Sequence, residues 1–294
     1  SDCGRTTALV TLTESALILD ESSWPSNRVK VRHVWLVGPD AASEALANPR
    51  MAIENRPDAK ALPDVGYYVM RSGGDQDARQ LIVDIGPKGY YHGHFDLLGL
   101  DLFGYGKPLI ADPGTGASGS RATDLSTGFH NTICVDGAHN GASEGAGNPG
   151  LVVDLGETAT SETRLTAHHH AYQYLNGRPV VGRSLWYDND SAFVVVDWGE
   201  AGAAHTFTSG WILATTAVSA LAGGQIHTVT GSGDVLLAAA FRAGQTATNS
   251  PSITSEGSAR RLTLSESGQF VAFAMAIVTY EGGTPPVVSL TWLE

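Results

Sequence analysis

Tyr67-Tyr68-Val69-Met70-Arg71, a Ser72-Gly73-Gly74-Asp75 turn, then Gln80-Leu81-Ile82-Val83-Asp84-Ile85: from Gly66 onward the sequence takes on the texture of strands. β-branched and aromatic residues dominate these runs, and Gly, Ser, Asn and Asp separate them. The same texture recurs at Leu97–Phe103, Asn131–Val135, Thr163–Tyr172, Ser184–Tyr187, Phe193–Trp198 and Thr206–Leu213. It continues at Ile226–Val229, Val235–Phe241, Arg261–Leu264, Phe270–Thr279 and Val287–Leu293. About a dozen strands without long helices between them predict an all-β fold, a large antiparallel β-sandwich in layered sheets. Gly137–Gly150, rich in Gly, Ala and Asn, reads as a surface loop.

Upstream the texture differs. Leu12–Leu19 and Val34–Leu46 read as helical, with Gly38-Pro39 breaking the second, and residues 49–64 read as a Pro-punctuated linker. The expected division is therefore a helical remnant and linker over 1–60 and the β-sandwich over 61–294.

Composition narrows the function. Only 16% of the 294 residues are charged, against roughly 25% in an average globular protein, and 35 are Gly, which suits many tight turns. Thirty acidic residues against 18 basic ones give a net charge of −12. No basic footprint for nucleic acid is visible. A polyanionic ligand would need positive charge concentrated locally. No apolar run approaches the length of a membrane span, and Ser1-Asp2-Cys3-Gly4 does not begin a signal peptide. Cys3 and Cys134 allow one disulfide at most.

The densest chemical signal is Gly89-Tyr90-Tyr91-His92-Gly93-His94-Phe95-Asp96, followed by Asp112-Pro113-Gly114 and Gly128-Phe129-His130-Asn131-Thr132. On a strand, residues two apart share a face, which would project His92 and His94 together. Two imidazoles and a carboxylate on neighbouring strands suit zinc, with a fourth position for water or a partner. The plainer alternative is that these groups hydrogen-bond buried turns. A cupin-type H-x-H site fits poorly, because Leu98 and Gly99 stand where its Glu belongs.

Tyr67–Gly73, His92–Asp96, Gly106-Lys107-Pro108-Leu109, Asp112–Gly114 and His130-Asn131-Thr132, in this order, resemble the heparinase II/III-like polysaccharide lyases, a group that includes heparinase II and the oligoalginate lyases. The resemblance covers about residues 64–137, and Val34–Ala41 is similar to the end of that family's helical domain. It implies an N-terminal α/α toroid, a β-domain, and a cleft between them. It also implies a zinc ion, structural first, on His94, Asp112 and His130, with His92 facing the cleft as a catalytic residue. The implied partner is an acidic, uronic-acid-containing polysaccharide, cleaved by β-elimination in the periplasm or outside the cell. A second copy of the chain is a further open partner.

The sequence departs from that pattern in two ways. A toroid takes several hundred residues of helices, whereas this chain offers at most fifty, so its principal catalytic Tyr has no counterpart. Pro113–Arg121 also lacks the tyrosines found in relatives. The expectation is the C-terminal portion of a longer lyase, inactive or nearly so alone. Around the motif, Tyr90, Arg121 and Asn131 are candidates for substrate contact, with a solvated loop for Arg121 and support of the metal site for Asn131 as alternatives. His168-His169-His170 reads as strand, with His168 and His170 on one face and one of the three as an alternative to His130. Trp186, Trp198, Trp211 and Trp292 read as core. The rival function is a non-catalytic carbohydrate-binding or structural β-module that keeps the zinc for stability.

Overall fold

The computed structural model describes residues 59–62, 66–73, 77–86, 93–141, 152–157, 163–188, 192–221, 225–241, 252–256 and 259–290. The helices expected at Leu12–Leu19 and Val34–Leu46, together with Tyr90, Tyr91, His92 and Cys3, lie outside these residues. The described strands fall within one compact unit, 58–72 with 76–294.

Fifteen strands, all paired antiparallel, occupy the described residues. They are β1 (Ala59–Leu62), β2 (Tyr67–Arg71), β3 (Gln80–Asp84), β4 (Leu100–Gly104), β5 (Lys107–Ile110), β6 (Ile133–Val135), β7 (Val152–Glu157) and β8 (Thr163–His169). Then come β9 (Val180–Tyr187), β10 (Ala192–Leu213), β11 (Val218–Ala220), β12 (Ile226–Thr228), β13 (Asp234–Phe241), β14 (Ser252–Glu256) and β15 (Ala259–Tyr280). One four-residue helix, α1 (Arg121–Asp124), and a 3-10 turn (Thr127–Phe129) are the helical elements among the described residues.

Two strands of 22 residues organise everything. The first half of β10, Ala192–Glu200, pairs with β9 on one side and with the second half of β15 on the other. Its second half, His205–Leu213, pairs with the first half of β15 and with β6, and ends on β5 at Leu213–Ile110. β10 and β15 thus run through both layers. One carries the ladder β7-β8-β9-β10-β15-β13-β12-β11, the other β1-β2-β3-β4-β5-β10-β15-β14 with β6 on β10. The corner is a bulge between Glu200 and His205, where the register against Phe270 and Gly268 shifts. The core-facing positions of β15 change parity across it, from Leu262 and Leu264 to Val271, Phe273, Met275 and Ile277. An odd register shift turns a strand over, and here it keeps the apolar side inward after the bend.

Between the layers lies one apolar cluster. Leu165, Val181, Leu185, Tyr187, Phe193 and Val195 meet Tyr68, Met70, Leu81, Val83, Leu102 and Trp211 there. Tyr187 and Phe193 stack with ring centroids 4.2 Å apart across the β9–β10 hairpin. Burying each such side chain stabilises by about 1.5–3 kcal/mol, so the sandwich has its own core.

Several expectations are corrected here. Phe193–Trp198 and Thr206–Leu213 are one strand, as are Arg261–Leu264 and Phe270–Thr279, because the ladder continues through the bulge. β1 forms inside the stretch read as linker. β4 and β5 make a hairpin on Tyr105 (φ 54°) and Gly106 (φ 73°), the left-handed pair that a two-residue hairpin turn requires. Val287–Leu290 carries no strand, following Pro285-Pro286, and Val287 is fully exposed.

Candidate metal centre

His94, the described histidine of the motif, does not sit on a strand. Residues 93–99 form an irregular loop before β4, closed by Gly99 N–H donating to the Asp96 carbonyl (2.6 Å) and by Leu98 at φ 60°. His92, expected to share a strand face with His94, lies outside the described residues. Asp112 follows β5 in a second irregular stretch, and His130 follows the 3-10 turn just before β6. All three ligand candidates come from loops where strands begin or end, not from strand faces.

Those loops nevertheless bring His94 and His130 together. Both are buried, and their rings lie 5.0 Å apart, tilted by 46°. One ligand atom each from His94, Asp96 and His130 falls within 4.8 Å of the others. Asp112 stands beside this trio: its Oδ2 pairs with His130 Nδ1 at 2.5 Å, and its Oδ1 accepts Gly114 N–H at 2.8 Å. His130 Nε2 is buried and meets no hydrogen bond of good geometry among the described residues. His94 Nε2 lies 3.2 Å from the Thr115 hydroxyl, on a loop organised by buried Asp124, which accepts Gly116 N–H, Ser118 N–H and the Ser118 hydroxyl.

Charge is crowded here. Burial lifts the Asp101 carboxyl to about 7, with the Asp112 charge adding to it. Burial and Asp96 likewise raise the Asp84 carboxyl well above its ordinary value. Burial lowers the His94 pKa, and the neighbouring His130 lowers it further, which favours the neutral imidazole that ligates metals. Burial would lower His130 too, but its bond to Asp112 outweighs that and raises it. Two imidazoles beside the Asp96 carboxylate, one ring nitrogen buried without a bond, make a donor set that a divalent cation fits. A carboxylate on the far nitrogen of a ligating histidine is the common supporting arrangement.

The remaining candidates separate. Tyr90 and His92 lie outside the described residues. Arg121 is exposed at the start of α1, on the rim of the Thr115 loop. Asn131 is turned inward, 1% exposed, its amide donating to the Leu100 carbonyl (2.9 Å) and accepting Ile212 N–H (2.6 Å). The substrate contact expected of it gives way to bracing, because both ends of its side chain hold backbone. Thr132 ties the same loops, its hydroxyl donating to the Leu97 carbonyl at 2.5 Å. Sequence reasoning did not single out Asp96 as a ligand, although it closes the quoted motif. Among the histidines of the triplet, His169 is in the core beside Tyr172, while His168 lies against His170 and Trp198.

Residues 54–288 match the family described as heparinase II/III-like, C-terminal. A heparin-sulfate lyase of Bacteroides stercoris is 26% identical over 133 residues, covering 45% of this chain and 19% of that protein. Heparan sulfate lyase HepC of Pedobacter heparinus superposes with a TM-score of 0.71 at 16% identity, over 96% of this chain and 43% of its own. A heparinase III superposes with a TM-score of 0.68 at 18% identity, over 86% and 41%. The chain therefore spans about a fifth of the curated relative and about two fifths of the solved ones, and the superpositions speak for the fold. With the family match covering most of its length, the chain belongs to the heparinase II/III-like family, as its C-terminal β-domain.

Proposed function

We propose that this chain is the β-domain of a polysaccharide lyase that cleaves uronic-acid-containing polymers, heparan sulfate first among them, by β-elimination. The observation that carries the reading is the buried His94–His130 pair with its carboxylates, set within a family match over residues 54–288. The heparan substrate comes from what the matched relatives are called. An exported location, periplasmic or extracellular, belongs to the same proposal.

β-Elimination needs three things: the uronate carboxylate neutralised, the C5 proton removed, and the leaving O4 protonated. His92, two residues before His94, is the candidate for proton removal or neutralisation. Tyr90 and Arg121 would contact the acidic sugar. His94 and His130 would hold the zinc, and Asp96 completes the trio that the geometry assembles. Asp112, a ligand by family resemblance, orients His130 from the other ring nitrogen in this arrangement. Zinc bound there supplies a clamp between two loops and local positive charge in a chain of net charge −12. The remaining acid is proposed to come from a helical domain, which leaves the chain alone inactive or nearly so.

The test is elimination activity, followed by the ultraviolet absorbance of the unsaturated uronate, on heparan sulfate, alginate and hyaluronan. The full-length gene product should act on one of them, and His92→Ala should lower its kcat by about 100-fold or more. Robust turnover by residues 1–294 alone would overturn the incompleteness. Unchanged turnover by the His92→Ala protein would remove His92 from the chemistry. Zinc content assigns the carboxylate: Asp96→Asn should release the metal, whereas Asp112→Asn should weaken its retention about 10–100-fold.

A further inference from the structure

Among the described residues, the apolar interior contains an ion pair that strand packing does not call for. Arg183 on β9 and Asp197 on β10 are cross-strand partners on the core face, 0% and 1% exposed. Arg183 Nε donates to Asp197 Oδ1 at 2.6 Å and an Nη2 hydrogen to Oδ2 at 2.8 Å, while Ser209 Oγ donates to Oδ2 at 2.6 Å. The Trp211 ring lies against the guanidinium, 5.2 Å from Cζ to the ring centroid. A buried pair of this kind gives a fold little net stability, since packed apolar side chains of similar volume often serve as well or better. Its distinctive feature is where the rest of the guanidinium points.

Arg183 Nη1 donates twice, to the Leu98 carbonyl and to the Asn131 carbonyl, each at 2.7 Å. Leu98 belongs to the loop that carries His94 and Asp96; Asn131 is the neighbour of His130. One planar group, fixed at its other edge by Asp197, therefore reaches both metal-bearing loops at once. Other ties around it run from the Asn131 side chain to Leu100 and to Ile212 on β10, from Thr132 to Leu97, from Gly210 N–H on β10 to the Thr132 carbonyl, and from Leu98 N–H to the Asp84 carbonyl. Of these, only Thr132 to Leu97 joins the same two loops, and none engages both loops from one charged side chain. A lysine could not reproduce the arrangement, because an ammonium is a point donor without the flat fork that engages four acceptor atoms together.

We infer that Arg183 is a positioning residue of the metal centre: anchored by Asp197, it fixes the separation of the His94 and His130 loops. The inference rests on the reading of His94 and His130 as metal-holding residues, and extends it into the sandwich core.

The test uses the full chain with Arg183→Met/Asp197→Leu, which leaves no buried charge unpaired. Zinc affinity is read by chelator competition, and amide exchange is read on the metal-free protein. The double variant should stay folded, bind zinc about 10–100-fold more weakly, and lose exchange protection in residues 94–99 and 130–132 while β8, β9 and β10 keep theirs. Arg183→Lys should weaken zinc in the same direction. Leu165→Ala, which thins the same core without touching either loop, should lower Tm and leave zinc affinity unchanged. A folded double variant with parental zinc affinity and parental loop protection would overturn the inference. If the parent itself takes up no zinc, the metal reading fails, and loop protection in the double variant still decides the role of Arg183.

Discussion

His169 is fully buried while His168 and His170 on either side are half-buried, as strand alternation over the triplet requires. Burial lowers the His169 pKa to about 3, with the neighbouring imidazoles adding to the effect, and its Nδ1 accepts Ala171 N–H. The folded protein therefore binds this proton more weakly than the unfolded chain, whose histidine titrates near 6.5. Stability is intact above that value and falls as pH drops from about 6.5 toward 3, by up to about 1.4 kcal/mol per pH unit. Between pH 7 and 5, thermal unfolding should show a steeper loss of Tm in the parent than in His169→Gln. His205 carries the opposite sign. Its Nδ1 pairs with Asp136 Oδ2 and its Nε2 with the Asn176 carbonyl, both at 2.6 Å, and the Asp136 bond raises its pKa. Burial would raise Asp136, but His205 and Thr206 N–H bring it below the usual carboxylate range. The histidine's contribution is complete below about pH 6.5 and fades as pH rises through its raised value. That of Asp136 is complete above about pH 4 and fades as pH falls through its lowered one. The Tm difference between parent and His205→Gln should thus be larger at pH 5.5 than at pH 8.5; the reverse order would show the imidazole to be neutral. Residue types made the candidates visible in sequence, but the positions of Asp96, Asp112 and Asn131 are set by loop geometry, which spacing does not encode.

At the scale of elements, strands were legible where apolar residues ran unbroken, as in β2, β3 and β13, whereas β9 was read only over Ser184–Tyr187 because Gly182-Arg183 interrupts its run. The corner of β10 was not. Glu200-Ala201-Gly202-Ala203-Ala204 reads as a break between two strands, yet the ladder to β15 persists across it. The corner depends on Gly199, where a Cβ would come within 2.2 Å of the Phe207 ring. The two residues stand on either side of the bulge, so the ring of the second half occupies the space a side chain on the first would need. Gly199→Ala should destabilise by about 1–3 kcal/mol through overpacking, and Phe207→Leu in the same chain should recover part of the loss. Denaturant unfolding measures both; additive losses would show that the two sites do not meet. The β4–β5 hairpin was missed for a related reason, since Tyr105-Gly106 is an uncommon pair for a turn and Lys107–Ile110 includes a proline.

For the whole molecule, the layered β-sandwich and the family were readable because alternation and motif order survive at low identity, and residues 54–288 match accordingly. The candidate centre was only half readable. His94 and His130 meet as the resemblance implied, but they do so on loops, held by buried polar groups such as Arg183 whose partners lie far away in sequence. Among the described residues no helix is long and apolar enough to cross a membrane. Zinc that binds only the folded chain adds its binding energy to stability, so stripping it should lower Tm sharply and restoring it should recover the parent value. The most direct measurement is the metal content of the purified full chain and of its His130→Ala variant, alongside circular dichroism. The account predicts close to one zinc per chain in the parent and its loss in a variant that keeps its strand signal. A natively folded parent without metal, or a His130→Ala chain with undiminished zinc, would contradict it.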